Sequence, residues 1–441
     1  MTYSEAILFL GETRRFGVKL GLEPMRNLAG ALGDPQQHLR FIHIAGTNGK
    51  GSTAAFCESC LRASGHRTGL YTSPHLVSVR ERIQIDRCPI SETDFATGME
   101  TIRRAIEGMN DHAVTFFEIT TALALWYFAR EKVEWVVWET GLGGRLDATN
   151  IVRSEVCIIT NIGLDHQQYL GNTLGEIAAE KAAIIKQGVP VVSAVDPGEA
   201  CEVMIRRAKA EASALTLVQR DMKIENLGLD GNRQLARIDG CEWPLGLIGP
   251  HQVTNAACAV RAMKLIGISD GALARGLVNA AWPGRFEVIL EKPLIVLDGA
   301  HNPAGVAKLV ETWRAFLAAR FGWCAGEIEG RAHLVFASVA DKDITEMAQL
   351  LRPLARRVSL VRLANERTAE PALLKPFFPG VPVTCYDSVV KALYDLAGAP
   401  EDVPVLMAGS LFLAGEILAQ RQNNTEEYRL NERLEALATT P

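Results

Sequence analysis

Phe41-Ile-His-Ile-Ala-Gly-Thr-Asn-Gly-Lys-Gly-Ser-Thr53 decides the reading of this chain. An apolar run, a glycine-rich turn with one lysine, and two hydroxyls follow one another in that order. Leu39 to Ala45 has the β-branched and aromatic content of a buried strand, and Ser52 to Ala63 holds neither Pro nor Gly, so the turn is expected at a strand-to-helix junction. Such a junction suits phosphate. Small residues let successive backbone N–H groups approach the oxygens, the helix N-terminus adds partial positive charge, and Lys50 brings a point charge. Asn48, Gly49, Lys50, Gly51 and Ser52 are therefore the expected nucleotide cradle, and the hydroxyl of Ser52 or Thr53 is placed to hold a phosphate oxygen or Mg²⁺. The spelling departs from G-x-x-x-x-G-K-[ST], because Ile44 stands at the first glycine and Gly51 separates Lys50 from Ser52.

Outward from this loop, short continuous apolar runs alternate with helical segments. Phe41 to Ala45, Thr68 to Thr72, Trp135 to Trp138, Val156 to Thr160 and Val189 to Ser193 have the pattern of strands buried on both faces of a parallel sheet. Ile119 to Glu131 and Leu174 to Gln187 are long enough for right-handed crossovers. Polar groups wait after each strand: the loop after the first, Ser73 after the second, Glu139 after the third, Asp165 and His166 after the fourth. In an open α/β sheet that edge binds ligands. Leu215 to Leu247 changes to short alternating runs around Leu229-Asp-Gly-Asn232, which predicts a small antiparallel insert, and helix returns at Val253 to Ile266. A second series has strands expected at Leu294 to Leu297, Leu334 to Phe336, Val358 to Val361, Val381 to Thr384 and Val405 to Met407. The fold class expected is α/β, with a phosphate-loop domain over 1–287, a linker at Glu287 to Lys292, a Rossmann-like C-terminal domain over 293–423 and a polar tail over 424–441.

Composition narrows the class. The 441 residues are 48% hydrophobic and 22% charged, with a net charge of −5, so the chain reads as an ordinary globular protein of two or three domains. Lys and Arg are scattered, so the basic footprint of a nucleic-acid binder is missing, and no apolar run approaches the ~20 residues that span a bilayer. The first ten residues read as an amphipathic helix and not a leader. Nine cysteines without regular spacing fit free thiols in the cytoplasm. Cys57 and Cys60 are expected to pack in the helix after the loop, since no second pair or finger-like histidine accompanies them. Trp243 and Trp282 are also read as packing residues.

Further words stand in a fixed order. They are Ser73-Pro-His-Leu76, Thr115-Phe-Phe-Glu118, Glu139 to Asn150, Asn161 to His166, Glu180-Lys181, His251-Gln252 with Asn255, Pro283-Gly-Arg285, Asp298-Gly-Ala-His-Asn-Pro303, Asp341-Lys-Asp343 and Gly409-Ser-Leu411. Together with Gly46-Thr-Asn-Gly-Lys-Gly-Ser52, this set resembles the Mur ligase superfamily, and the extra Gly51 resembles its folylpolyglutamate synthase and dihydrofolate synthase branch.

The resemblance implies roles that the residues alone leave open. Alone, Glu139 could pair with Arg145, His166 could be a hydrogen-bonded edge residue, and Lys181 could be a solvated helix lysine. By resemblance, Ser73, Glu139 and His166 bind Mg²⁺, and Lys181 is carbamylated and helps hold a second Mg²⁺, although Ala182-Ala183 departs from the family's usual Ala-Gly. Lys50, Lys181, His166 and Glu139 are then the catalytic set, with Asn255, Arg285, Asp298 and His301 about ATP. Thr115, Phe117, Asp147 and Ala148 match pterin contacts, Phe117 as a stacking surface and Asp147 as an acceptor, whereas the plain reading of Asp147 is a loop cap.

The expected reaction passes the γ-phosphoryl group of ATP to a carboxylate, and L-glutamate then attacks the acyl phosphate. The expected substrates are dihydropteroate or folate, L-glutamate and ATP, with the enzyme a monomer. Arg145-Leu-Asp-Ala-Thr-Asn150 resembles the loop of bacterial members that accept dihydropteroate. A nucleotide-driven switch would share the loop but would not need a second domain with its own polar sheet edge. A peptidoglycan-type ligase would need an N-terminal UDP-binding domain of about 100 residues, for which a loop at residue 46 leaves no room.

Overall fold

The computed structural model describes residues 1–13, 17, 21–109, 114–340, 342–396, 398 and 400–436; Asp341 of the motif quoted above lies outside the described residues. The first sheet has eight strands: β1 (Arg40–Ala45), β2 (Thr68–Tyr71), β3 (Ile83–Ile85), β4 (Cys88–Pro89), β5 (Trp135–Glu139), β6 (Ser154–Ile159), β7 (Val191–Ser193) and β8 (Leu215–Leu217). Their order is β4-β3-β2-β5-β1-β6-β7-β8, parallel except for the β3 and β4 edge. Helices cover both faces, so β1 and β5 are buried almost throughout, which is why they read as continuous apolar runs. From β1 the chain crosses to β2 on one side, and after β5 it crosses to β6 on the other. The C-terminal ends of β1, β5 and β6 therefore border the crevice where the winding reverses.

Three expectations need correction. The antiparallel insert begins only at β9 (Ile224–Asp230), followed by β10 (Arg233–Ile238) and β11 (Cys241–Leu245), because Leu215–Leu217 pairs parallel with β7 in the main sheet. A Leu-Thr-Leu run alternates identically in either setting, so the available sheet edge decides. The charged stretch at 287–292 is no linker but carries β12 (Glu287–Glu291), antiparallel to β13 (Leu294–Leu297). An edge strand tolerates such charges because one side meets water. Lastly, the tail, expected to fray or to form a surface helix, takes the helical alternative over Thr425–Ala436, but with Tyr428 and Asn431 buried rather than on the surface.

The second sheet continues with β14 (Ala332–Phe336), β15 (Ala355–Val361), β16 (Val383–Tyr386) and β17 (Val405–Ala408), in the order β12-β13-β17-β14-β15-β16. The two halves share apolar contacts. Leu229 of the insert packs against the core of the second half, and Val77, from the loop after β2, is buried among Leu297, Leu413 and Ala414. Cys57, Cys60 and Trp243 lie in the core between the first sheet and the helix Pro250–Leu265.

Candidate active site

Gly46, Gly49 and Gly51 make the loop after β1 possible. A side chain at Gly46 would meet Thr160 Oγ1 at 1.9 Å, one at Gly49 would meet Asn255 Oδ1 at 2.6 Å, and one at Gly51 would meet the Trp282 indole at 2.8 Å. Gly49 also has φ +84° and caps the helix Lys50–Ala63, so only glycine fits it without strain. Neighbours pin the turn: Asn48 N–H donates to Asn161 Oδ1 (2.8 Å), and Thr160 Oγ1 donates to the Asn48 carbonyl (2.7 Å). Gln252 reaches Ser52 Oγ (3.4 Å) and accepts from Asn255 Nδ2 (2.9 Å), so the helix Pro250–Leu265 forms one wall. Trp282, read from sequence as packing, is half-buried over Gly51.

Two lysines converge on one carbonyl. Lys50 Nζ donates to the Gly46 and Thr47 oxygens (3.1 and 3.2 Å), and Lys181 Nζ donates to the same Gly46 oxygen (2.9 Å) from the last turn of the helix Leu174–Ala182. Lys181 is only 5% exposed, and burial, with Lys50 as the next cause, lowers its pKa to about 7. A neutral amine is thus available near neutral pH, and an anion placed here would meet two cations.

Glu139 ends β5 at 3% exposure, and burial raises its carboxyl pKa to about 7 against the pull of Lys50 and the Ser73 N–H, which lies 3.1 Å from Oε2. A carboxylate in such a place calls for a cation. Arg145 does not answer that need, since it pairs with Glu180 at 2.9 Å. His166 caps the short helix Gln167–Leu170 with φ +50° and leaves its side chain half exposed, 3.9 Å from Asp165. No group of three or more His, Cys, Asp and Glu side chains converges on a metal-sized point among the described residues. Glu139 with the adjacent Ser73 could offer a divalent ion hard oxygen donors beside phosphate oxygens, a set that suits Mg²⁺.

The second half of the site comes from the loop after β13. Asp298 accepts from the Phe286 and Ala300 N–H groups (2.8 and 2.7 Å), and burial raises its pKa while Arg285 opposes that shift. Arg285 also opposes the upward shift of Glu139, so its charge is felt by both carboxylates. His301 donates Nδ1–H to the Gly299 carbonyl (2.9 Å), and burial lowers its pKa to about 4; it is neutral, with Nε2 as an acceptor. Asn302 Nδ2 approaches Asn48 Oδ1 at 3.4 Å, which brings the two halves together at the phosphate loop.

Of the four residues matched to pterin contacts, Phe117 and Asp147 both touch Gly141, and Asp147 and Thr115 are committed to protein. Asp147 accepts from Gly141 N–H (3.0 Å), Leu142 N–H (2.8 Å), Thr149 N–H (3.0 Å) and the Thr149 hydroxyl, so its carboxylate is a loop cap rather than an open acceptor. The Thr115 hydroxyl is held in a capping box with Glu118. Phe117 remains partly open, with its ring against Gly141 and 6.0 Å from Tyr71. Sequence reading missed Arg82, which is 7% exposed, donates to His75 Nδ1 (2.9 Å) and lies 5.1 Å over Phe116. Nothing in its local spelling distinguishes it from a surface arginine.

The chain resembles known proteins over nearly its whole length. Residues 44–263 match the Mur ligase middle domain and 284–411 match the Mur ligase glutamate ligase domain. The chain is 37% identical to the dihydrofolate synthase/folylpolyglutamate synthase of Bacillus subtilis, over 94% of this chain and 98% of that one. It is 31% identical to its namesake in Escherichia coli, over 91% of each. Among solved structures, the Thermotoga maritima folylpolyglutamate synthase superposes with a TM-score of 0.84 at 32% identity, covering 97% and 99% of the two chains. The E. coli enzyme in complex with DHPP and ADP gives 0.85 at 28% identity, covering 96% and 99%.

Proposed function

This chain belongs to the dihydrofolate synthase/folylpolyglutamate synthase family of Mur ligases, and from that premise we propose that it joins L-glutamate both to dihydropteroate and to the glutamate chain of tetrahydrofolate. It is an ATP-dependent, amide-forming ligase of folate metabolism. The observation that carries the reading is the meeting of two half-sites. The Asp298–Pro303 loop meets the phosphate loop through Asn302 and Asn48, and both Lys50 and Arg285 act on Glu139, so a phosphoryl group leaving ATP at this edge would be within the field of both cations. Phosphoryl transfer needs alignment and charge neutralisation more than a protein nucleophile.

In this assignment Asn48 to Ser52 cradle the phosphates, and Asn255, Asp298 and His301 bound the nucleotide. Ser73, Glu139 and His166 would hold Mg²⁺, which when bound supplies charge neutralisation at the phosphates. The lowered pKa of Lys181 supports its carbamylation, because the unprotonated amine adds CO₂, and the resulting carboxylate would offer a ligand to a second ion. Phe117 offers the pterin a ring face, while Asp147 shapes the loop beside it. The domain boundary is placed at Phe286, before β12. Both half-sites come from one chain, in keeping with a monomer. All nine cysteines are unpaired, in keeping with a cytoplasmic location.

The deciding experiment measures ATP consumption with L-glutamate and one acceptor at a time: dihydropteroate, tetrahydrofolate or a UDP-N-acetylmuramoyl peptide. Turnover with both pteridines and none with the UDP-sugar is expected. Turnover confined to tetrahydrofolate would remove the dihydrofolate synthase half of the proposal.

A further inference from the structure

The loop Ser73 to Arg82 leaves β2 and must hold Ser73 beside Glu139 without sheet pairing of its own. Its backbone N–H groups are satisfied in another way. Those of Leu76, Val77 and Ser78 donate to the Glu81 carboxylate (2.8, 3.0 and 2.9 Å), and that of Val79 donates to Asn431 Oδ1 (2.9 Å). Asn431 belongs to the last helix, some 350 residues away in the chain.

The same helix grips the loop a second time. Glu427, whose side chain is 10% exposed, accepts Arg80 through Nε (3.0 Å) and Nη2 (3.1 Å), the Ser78 hydroxyl, Tyr3 OH (3.1 Å) and Asn424 Nδ2 (2.7 Å). Asn431 Nδ2 in turn donates to the Glu427 carbonyl (2.7 Å). Tyr428 faces the other way: it is buried in the second half's core and lies 3.0 Å from where a side chain on Gly415 would begin, beside the Leu76 carbonyl. A bidentate, largely desolvated arginine–carboxylate pair fixes geometry as well as energy.

We propose that Glu427 is a positioning residue for ligation: through Arg80 and Ser78 it holds the 73–82 loop, and with it Ser73, at the Glu139 edge of the site. This rests on the reading of Ser73 and Glu139 as the metal edge. The last helix thereby connects the second half of the molecule to the place where charge is neutralised.

The test compares the full-length wild type with Glu427→Ala, Glu427→Asp, Arg80→Ala, the Glu427→Ala/Arg80→Ala double variant, Asn431→Ala and Ser73→Ala. Two quantities are read: steady-state constants well below each variant's melting temperature, and hydrogen exchange of the 76–80 amides in nucleotide-free enzyme. Glu427→Ala is expected to lower kcat about fivefold or more, raise the Mg²⁺ concentration for half-maximal rate, leave the L-glutamate KM unchanged and speed exchange of the loop. Arg80→Ala should do the same, the double variant no more than either alone, and Glu427→Asp should restore part of the rate. Asn431→Ala should speed exchange at Val79. Loss of melting temperature with kcat and the Mg²⁺ dependence unmoved would reduce Glu427 to a structural contact and overturn the proposal. If Ser73→Ala itself is inert, the metal-edge reading fails; if Ser73→Ala is impaired while the Glu427 and Arg80 variants are not, the positioning role alone fails.

Discussion

Glu139 and Lys181 are opposite charges buried within reach of the same loop, and burial pushes each toward its neutral form. Glu139 has an ordinary pKa of 4.5 and a folded value of about 7. Between these values only the unfolded chain loses the proton, so this group's stability is full below 4.5 and is lost as pH rises through 7. Lys181 falls from 10.5 to about 7, so between 7 and 10.5 only the unfolded chain holds the proton, and stability is lost as pH falls through that window. The two together place a local minimum of ligand-free stability near pH 7. The Glu139 swing is on the order of 3 kcal/mol. Glu139→Gln, which keeps the acceptor for Ser73 N–H, should therefore melt several degrees above wild type at pH 8 without Mg²⁺ or nucleotide, and no higher at pH 4.5; calorimetry at both values checks this. Lys181→Ala should lose most activity and regain part with added short carboxylic acids. Recovery equal to that of an untreated control would end the carbamate assignment. The lysine was legible as a motif residue, but its altered basicity was not, because burial and the nearness of Lys50 arise only on folding.

At the scale of elements, the strand-turn-helix around Gly46 was readable because each part has a local cause: β-branched content in β1, glycines where backbone must turn or touch, and a helix without breakers. The contacts that make those glycines necessary come from elsewhere, from Thr160 after β6, Asn255 on a later helix and Trp282 before β12. Gly46→Ala forces its Cβ onto Thr160 Oγ1, and such overpacking costs about 1–3 kcal/mol. A raised ATP KM should accompany the lower denaturation midpoint. Adding Thr160→Ala should return part of the stability, and a double variant no more stable than Gly46→Ala alone would show that the strain lies in the backbone. The Leu215–Leu217 strand and β12 were misread for a common reason. Short runs carry too little pattern to say which sheet, or whether any sheet, will take them.

Across the whole molecule, polar contacts between the halves include Asn48 with Asn302 at the site, Asn232 with Glu291 and Arg320 beside the insert, and the last helix against the 73–82 loop. Exposed hydrogen bonds such as Asn232–Arg320 compete with water, so the apolar plugs Leu229 and Val77 carry more of the coupling. The wild type should unfold in a single denaturant transition, and Val77→Ala should lower stability by about 1–3 kcal/mol and broaden or split that transition. A wild type that already unfolds in two separate steps, unmoved by Val77→Ala, would show independent halves. The sequence alone determined the class of fold, the main buried strands, the phosphate loop and the words that mark the family, because these depend on residues near one another in the chain. Tertiary structure decided that Arg82 is buried beside Phe116, that Trp282 covers Gly51 and that Glu427 reaches Arg80. Each of these is a matter of which donor, ring or charge arrives from a distant segment, and no local pattern records that.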